Sequence, residues 1–254
     1  MRFKSAGAST ALAVVIAMMG GAVGAQDNSE RYRECYEGGV ADRVIAACSV
    51  VIGDRAGDKQ DIAAAFKSRG DAHDDKGEYE LALGDYAEAL ALNPQDAKAL
   101  NSRGATRTAM GQYEAAIEDF DQAVTLDPGK AIPLGNRCFA KAVLGRLQAA
   151  LTDCDEAVRP HPARLPALVA RGFTYLLLRR ADDAIADYDK VLAKRADEPY
   201  ALFGRAAARL MRGDLRGSDA DVVRAQAVKP DIADDMARIG VRLQAVFPPH
   251  GGSP

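Results

Sequence analysis

The sequence predicts an all-α protein, a right-handed solenoid of stacked antiparallel helix pairs that follows a short export signal. A 34-residue pattern recurs five times without an insertion, and the apolar residues inside each window are spaced as on one face of a helix. The composition agrees, since 48% of the 254 residues are hydrophobic and 27% are charged, as in globular chains. A net charge of −3 argues against a nucleic-acid partner.

The first 25 residues have the parts of a secretory signal peptide. Arg2 and Lys4 give a positive start, an apolar run extends from Ala11 to Met19, and small residues lead to Ala25. We expect cleavage after Ala25, which places the mature protein in the periplasm or outside the cell. An uncleaved anchor is the alternative, but the run is shorter than the ~20 residues that span a bilayer. We expect no membrane insertion after cleavage.

The repeats divide the remaining chain into helix–turn–helix units. The windows are residues 63–96, 97–130, 131–164, 165–198 and 199–230, and positions are counted from the first residue of each. Position 8 is small in every window, which lets two antiparallel helices approach closely. Position 15 is Gly in four windows, where it favours a turn with positive φ, and Pro at position 32 usually ends the second helix.

The motifs of these windows resemble those of the tetratricopeptide repeat family. Arg-Gly, Gly-x-Tyr, Ala-Ile-x-Asp-Phe/Tyr and Pro follow one another, most clearly in Ser102–Pro128. The whole chain is similar to exported repeat proteins of alphaproteobacteria. The resemblance implies a superhelix that binds a protein or peptide partner in its groove, without catalysis and without a cofactor. The family's carboxylate clamp needs Lys at position 5 and Asn at position 9, and no window has both, so a chaperone C-terminus is not the expected ligand.

Both ends of the repeat array differ from its middle, as the caps of a solenoid do. Residues 27–62 are expected to form a degenerate repeat and a linker. Its turn is at Gly38-Gly39, and its second helix contains Val44, Ile45, Val51 and Ile52; the polar linker runs from Gly53 to Asp61. Residues 231–247 predict an amphipathic closing helix capped by Asp231, and residues 248–254 a disordered tail.

Two charged ladders follow the repeat. Position 7 is Arg69, Arg103, Arg137, Arg171 and Arg205, and position 23 is Asp85, Asp119, Asp153, Asp187 and Asp221. Because each Arg has an Asp counterpart at a similar height in the hairpin, we expect structural ion pairs within a repeat or between neighbours. A basic stripe that binds a ligand is the alternative.

Four Cys in an oxidising compartment allow three pairings. Contacts in a solenoid join neighbours only, which leaves Cys35–Cys48 with Cys138–Cys154, or free thiols. An ideal hairpin offsets Cys138 and Cys154 by roughly 6 Å, whereas a bridge needs Cα atoms within about 7 Å. Two buried free Cys in the third repeat therefore remain the alternative.

In the resembling family, the binding groove is lined mainly by positions 2, 5, 9, 12 and 13. These positions are charged in the first window, polar in the second and apolar from the third onward. The apolar set is Phe139, Val143, Val169, Phe173, Leu176, Leu177, Tyr200, Phe203, Leu210 and Met211. We expect these residues to form an exposed patch that binds an amphipathic helix or an extended apolar peptide. The alternative is that the closing helix, or the Phe247-Pro248-Pro249 tail, fills the groove.

The sequence contains no catalytic or metal-binding motif. It lacks a Gly-rich phosphate loop, His-Glu-x-x-His, Gly-x-Ser-x-Gly and Cys-x-x-Cys. The favoured function is an exported, non-catalytic adaptor. The alternatives are a non-catalytic subunit or regulator of a cell-envelope enzyme complex, an enzyme, and a self-associating structural protein, which the solution mass at several concentrations would reveal.

Overall fold

The computed structural model describes residues 32–54, 58–160, 162 and 164–243. Every regular element in this part of the chain is a helix, and helices that follow one another pack as pairs. The predicted all-α fold of antiparallel helix pairs is therefore confirmed. The chain divides into two compact units, one that ends at Gln95 and one that begins at Asp96. The predicted signal peptide and tail lie outside the described residues.

The amino-terminal unit contains α1 (residues 32–37), α2 (Ala41–Asp54), α3 (Lys59–Asp75) and α4 (Tyr79–Leu92). Its core combines Val44 and Val51 with Ala65 and Ala72. The linker is shorter than predicted, because α2 continues to Asp54 and α3 begins at Lys59. The side chain of Asp58 accepts hydrogen bonds from two backbone N–H groups and so starts α3 earlier.

The carboxyl-terminal unit consists of four helix pairs and a closing helix within the described residues. The pairs are α5 (Ala97–Ala109) with α6 (Tyr113–Leu126), α7 (Ala131–Val143) with α8 (Leu147–Val158), α9 (Leu165–Leu177) with α10 (Ala181–Leu192), and α11 (Pro199–Met211) with α12 (Leu215–Val228). The closing helix α13 (Ile232–Arg238) packs against α11. It is shorter than the predicted helix over 231–247, because the backbone turns at Gly240, where φ is +91°. Asp231 precedes it, but its side chain makes no capping hydrogen bond.

The two helices of a repeat approach most closely at positions 8 and 24. In the second repeat Gly104 lies against the ring of Phe120, and a Cβ added to Gly104 would lie 2.6 Å from a ring carbon. Real Cβ atoms do not come so close to carbon, so only glycine fits beside the ring. In the third repeat the same two positions are Cys138 and Cys154, which form a disulfide with a Cα–Cα distance of 5.4 Å.

Both predicted disulfides are confirmed, since Cys35 and Cys48 are also bonded, with a Cα–Cα distance of 4.8 Å. The alternative of free thiols is wrong. The expected offset between Cys138 and Cys154 is also wrong, because positions 8 and 24 face each other directly in each hairpin of this type. The disulfide thus takes the place of the glycine–aromatic contact.

Each ladder Arg binds the ladder Asp of its own repeat. In the fourth repeat, Arg171 Nε lies 2.6 Å and Nη2 lies 2.9 Å from the two carboxylate oxygens of Asp187. The Asp side chains of the ladder are nearly inaccessible, with 1–8% exposed. Hydrogen bonding to Asp187 raises the pKa of Arg171, so the guanidinium group remains charged at neutral pH.

Three of these Arg side chains also join consecutive repeats. Nη1 of the Arg contacts an Asp at position 25 of the preceding repeat, in the pairs Arg137–Asp121 at 2.7 Å, Arg171–Asp155 at 3.0 Å and Arg205–Asp189 at 2.6 Å. The repeat pattern predicts pairs within a repeat or between repeats, and both kinds occur in the carboxyl-terminal unit. The guanidinium N–H groups of these Arg residues donate to Asp side chains of the protein itself. This favours structural ion pairs over a basic stripe that binds a ligand.

We predict that Arg171→Ala lowers the free energy of unfolding by about 3 kcal/mol, because it leaves the buried Asp187 carboxylate with only the half-exposed Lys190. Arg103→Ala should cost less, since Arg107 remains 2.8 Å from Asp119. Urea unfolding measures both variants. The control is Arg212→Ala, which breaks an exposed pair with Asp182 and should cost under about 1 kcal/mol. Equal losses for all three variants would contradict a structural ladder.

We predict that replacing Cys138 and Cys154 together by Ala lowers the free energy of unfolding by about 3 kcal/mol, because the bridge closes a loop of 16 residues in the unfolded chain. The difference from the unmutated protein should disappear when both are measured in excess reductant. Four thiols alkylated in unfolded but unreduced protein would show that neither bridge forms.

The fourth repeat has Arg179 at position 15, where the other four repeats have Gly. Its φ is +62°, a conformation that costs a non-glycine residue roughly 1 kcal/mol. We predict that Arg179→Gly raises the melting temperature by a few degrees, while Gly145→Arg at the equivalent turn lowers it. A lower melting temperature for Arg179→Gly would mean that the arginine side chain stabilises the turn.

Candidate functional site

Two adjoining cavities lie along the first helices of the carboxyl-terminal unit. The first cavity has a volume of about 640 Å³ and is lined by α5, α7 and α9 and by the loop between α10 and α11. The second cavity has a volume of about 660 Å³ and is lined by the end of α5, by α7, α9 and α13, and by Tyr113 of α6, Tyr188 of α10 and Tyr200 of α11. Thr108, Phe139 and Val169 line both cavities, so we treat them as one trough.

Four of the predicted groove residues line this trough. Phe139, Val169, Phe173 and Tyr200 contribute to its walls. Leu176, Leu177 and Met211 instead line a third cavity of about 140 Å³, together with Val241 and Arg242. Val143 and Leu210 are half-buried and line none of these three cavities, and neither does Phe203.

The expectation that the apolar set is exposed is wrong for its three most buried members. Phe173, Leu176 and Phe203 have only 2–3% of their surface accessible. They belong to one hydrophobic core with Ile232, Met236 and Val241, which come from α13 and the segment after it. The closing helix therefore fills this end of the predicted groove, which was the alternative that the sequence left open. The Phe247-Pro248-Pro249 segment lies outside the described residues.

The trough extends further toward the second repeat than predicted. Ile132 is 53% exposed and lines the first cavity, but it is not among the predicted groove residues. It occupies position 2 of its repeat, so the position rule could have found it. Loop residues Arg164, Arg195 and Glu198 also line the first cavity. They occupy positions 31 and 34 of their windows, which are not among the groove positions of the family.

Polar groups are few in the trough and most have partners. Asn136 Nδ2 donates to Asn101 Oδ1 at 3.0 Å, at the edge of the first cavity. Glu198 accepts a hydrogen bond from the backbone N–H of Ala201 at 2.5 Å, and burial raises the pKa of its carboxyl group. The Tyr200 hydroxyl donates to Asp235 at 3.2 Å. The walls are thus mainly apolar, with amide and charged groups at the edges.

The equivalent positions of the first repeat are charged and satisfy one another. Lys67 forms an ion pair with Asp71, which also accepts a hydrogen bond from the Tyr86 hydroxyl at 2.9 Å. Across the described residues, no three His, Cys, Asp or Glu side chains converge as metal ligands would. None of the described helices is long and apolar enough to cross a membrane.

The sequence model of the tetratricopeptide repeat matches residues 97–130. Among proteins with curated descriptions, no significant match is found. Solved structures share the fold. TTC0263, a tetratricopeptide repeat protein of Thermus thermophilus, is 26% identical, with a TM-score of 0.60 over 70% of this chain and 96% of its own. A tetratricopeptide repeat protein of Parabacteroides merdae is 16% identical, with a TM-score of 0.64 over 87% of this chain and 95% of its own.

A third structure is YrrB, described as a tetratricopeptide repeat protein with an unusual peptide-binding site. It is 18% identical to this chain, with a TM-score of 0.53 over 74% of this chain and 94% of its own. The family model matches one repeat, residues 97–130, and the same 34-residue period continues on both sides of it. The chain therefore contains a tetratricopeptide repeat and shares the helix-pair fold of these solved structures.

Proposed function

We propose that this protein is an exported, non-catalytic adaptor that binds a peptide segment of a partner protein in the trough of its carboxyl-terminal unit. The continuous trough along α5, α7 and α9 is the observation that carries the proposal. It combines apolar walls, which give binding energy, with a few polar groups, which set orientation. The peptide-binding site named for YrrB is consistent with such a use of this fold.

Export rests on the amino-terminal sequence and on the disulfides. Disulfides persist in oxidising compartments and are rare in the cytosol, and all four Cys of this chain are bonded. We therefore infer a periplasmic or secreted protein whose signal peptide is residues 1–25. In that setting a regulatory, non-catalytic subunit of a cell-envelope enzyme complex would use the same trough.

A pair of matched variants tests the trough. Ile132→Asp places a charge in the first cavity at an exposed position, so the fold should survive. Val223→Asp makes the same change on α12, at a residue that is 67% exposed and lines none of the three cavities. The probe is a peptide selected from a displayed random library against the unmutated protein.

We predict that Ile132→Asp weakens binding of the selected peptide about tenfold or more, because a desolvated carboxylate opposes an apolar ligand. Val223→Asp should bind as the unmutated protein does. Titration calorimetry measures both affinities, and circular dichroism checks that both variants fold. Equal affinities for the three proteins would refute binding in the trough.

A further inference from the structure

Tyr188 lies in the wall of the second cavity, and its hydroxyl group makes no hydrogen bond within the described part of the chain. Only 1% of the residue is accessible. Among the described residues, every side-chain nitrogen or oxygen that is sealed from solvent has a partner. The unpaired Tyr188 oxygen must therefore be reached from the cavity. Since buried polar groups are rarely left unpaired, this hydroxyl points to an acceptor on a ligand.

The first repeat shows how the same position is normally satisfied. Tyr86, the counterpart of Tyr188, donates its hydroxyl to Asp71. The position that holds Asp71 in the first repeat holds Phe173 in the fourth. A phenyl ring cannot accept a hydrogen bond as a carboxylate does. The fourth repeat therefore has the hydroxyl donor of Tyr188 but no acceptor at this position.

Two glycines fix the ring of Tyr188 in place. A Cβ on Gly172 would lie 2.9 Å from a ring carbon, and a Cβ on Gly204 would lie 2.5 Å from the hydroxyl oxygen. With backbone on both sides, the ring has no room to move the hydroxyl toward another partner. Burial raises the pKa of Tyr188, so the hydroxyl keeps its proton at neutral pH and serves as a donor.

The apolar walls of the second cavity favour an uncharged, apolar side chain of a ligand. Phe139, Val169, Phe173 and Met236 line it. Its charged residues, Asp235 and Arg238, form an ion pair with each other at 2.9 Å. The cavity therefore combines the buried Tyr188 donor with walls that are mainly apolar.

We propose that the Tyr188 hydroxyl donates a hydrogen bond to a main-chain carbonyl oxygen of an extended peptide segment of the partner, and that an adjacent apolar side chain of this segment fills the second cavity. This inference rests on the proposed function. An extended segment fits because its carbonyl groups are free, whereas the carbonyls of a helix are already bonded within it. An acidic residue further along the same segment would face Arg164 and Arg195 in the first cavity, where Glu198 is the carboxylate that offsets them.

Tyr188→Phe removes only the hydroxyl, and Phe120 shows that a phenyl ring fits this position of the repeat. The matched control is Tyr86→Phe, which removes a hydroxyl that the protein itself uses. With the selected peptide as probe, Tyr188→Phe should weaken binding about fivefold, as expected for one neutral hydrogen bond, without lowering the melting temperature of the free protein. Tyr86→Phe should lower the melting temperature and leave the affinity unchanged.

A scan of the peptide locates the acceptor. Each amide of the selected peptide is replaced in turn by an ester, which weakens the preceding carbonyl as an acceptor. At one position the ester should weaken binding to the unmutated protein but not to Tyr188→Phe.

Three results would overturn the inference. If Tyr188→Phe binds as the unmutated protein does while Ile132→Asp does not, the trough binds peptides without this hydrogen bond. If neither variant changes the affinity, the proposed function fails as well. If Tyr188→Phe lowers the melting temperature of the full chain but not of a chain that ends at Leu243, the protein's own carboxyl-terminal segment is the acceptor.

Discussion

The close approach of two antiparallel helices at positions 8 and 24 is the constraint on which each repeat depends. The side chains at these positions must fit closely between the two helices, and the second and third repeats meet this requirement in different ways. Gly104 faces the ring of Phe120, whereas Cys138 and Cys154 are joined by a covalent bond. Both arrangements bring the helices together at the same height. The third repeat can therefore carry a disulfide without disturbing the period of 34 residues.

The same close approach of the helices also fixes the position of Tyr188, the residue to which we assign a role in binding. Tyr188, at position 24 of the fourth repeat, lies tightly between Gly172 and Gly204, so its ring cannot move the hydroxyl toward a partner within its own repeat. The ladder of Arg and Asp also positions each repeat against the preceding one. Arg171, for example, binds Asp187 in its own repeat and Asp155 in the preceding repeat. The Arg and Asp side chains of the ladder line neither cavity of the trough, which leaves the inner faces of the first helices free to vary in sequence.

Periodicity was sufficient to predict the helix pairs and the Arg–Asp pairs of the ladder, because both depend on nearest-neighbour geometry. For the cysteines it reduced the possible pairings to one set but left free thiols as the alternative. It failed where the structure departs from the repeat. The closing helix stops at Arg238, and the segment after it turns back to join the core around Phe173 and Leu176. Gly240 can be read from the sequence, but the direction that the chain takes after it depends on how the following residues pack against the core, which periodicity does not predict. Arg164 and Arg195 were missed because they occupy positions 34 and 31 of their windows, which are not among the groove positions of the family.

Hydrogen exchange in the presence and absence of the selected peptide tests the central claim most directly. If the trough is the binding site, backbone amides of α7 and α9 and of the α10–α11 loop should exchange more slowly when the peptide is bound, because these segments line the first cavity. Amides of α8 and α12, which line neither cavity of the trough, should be unaffected. Protection confined to α8 and α12, or spread evenly over all the repeats, would contradict the account.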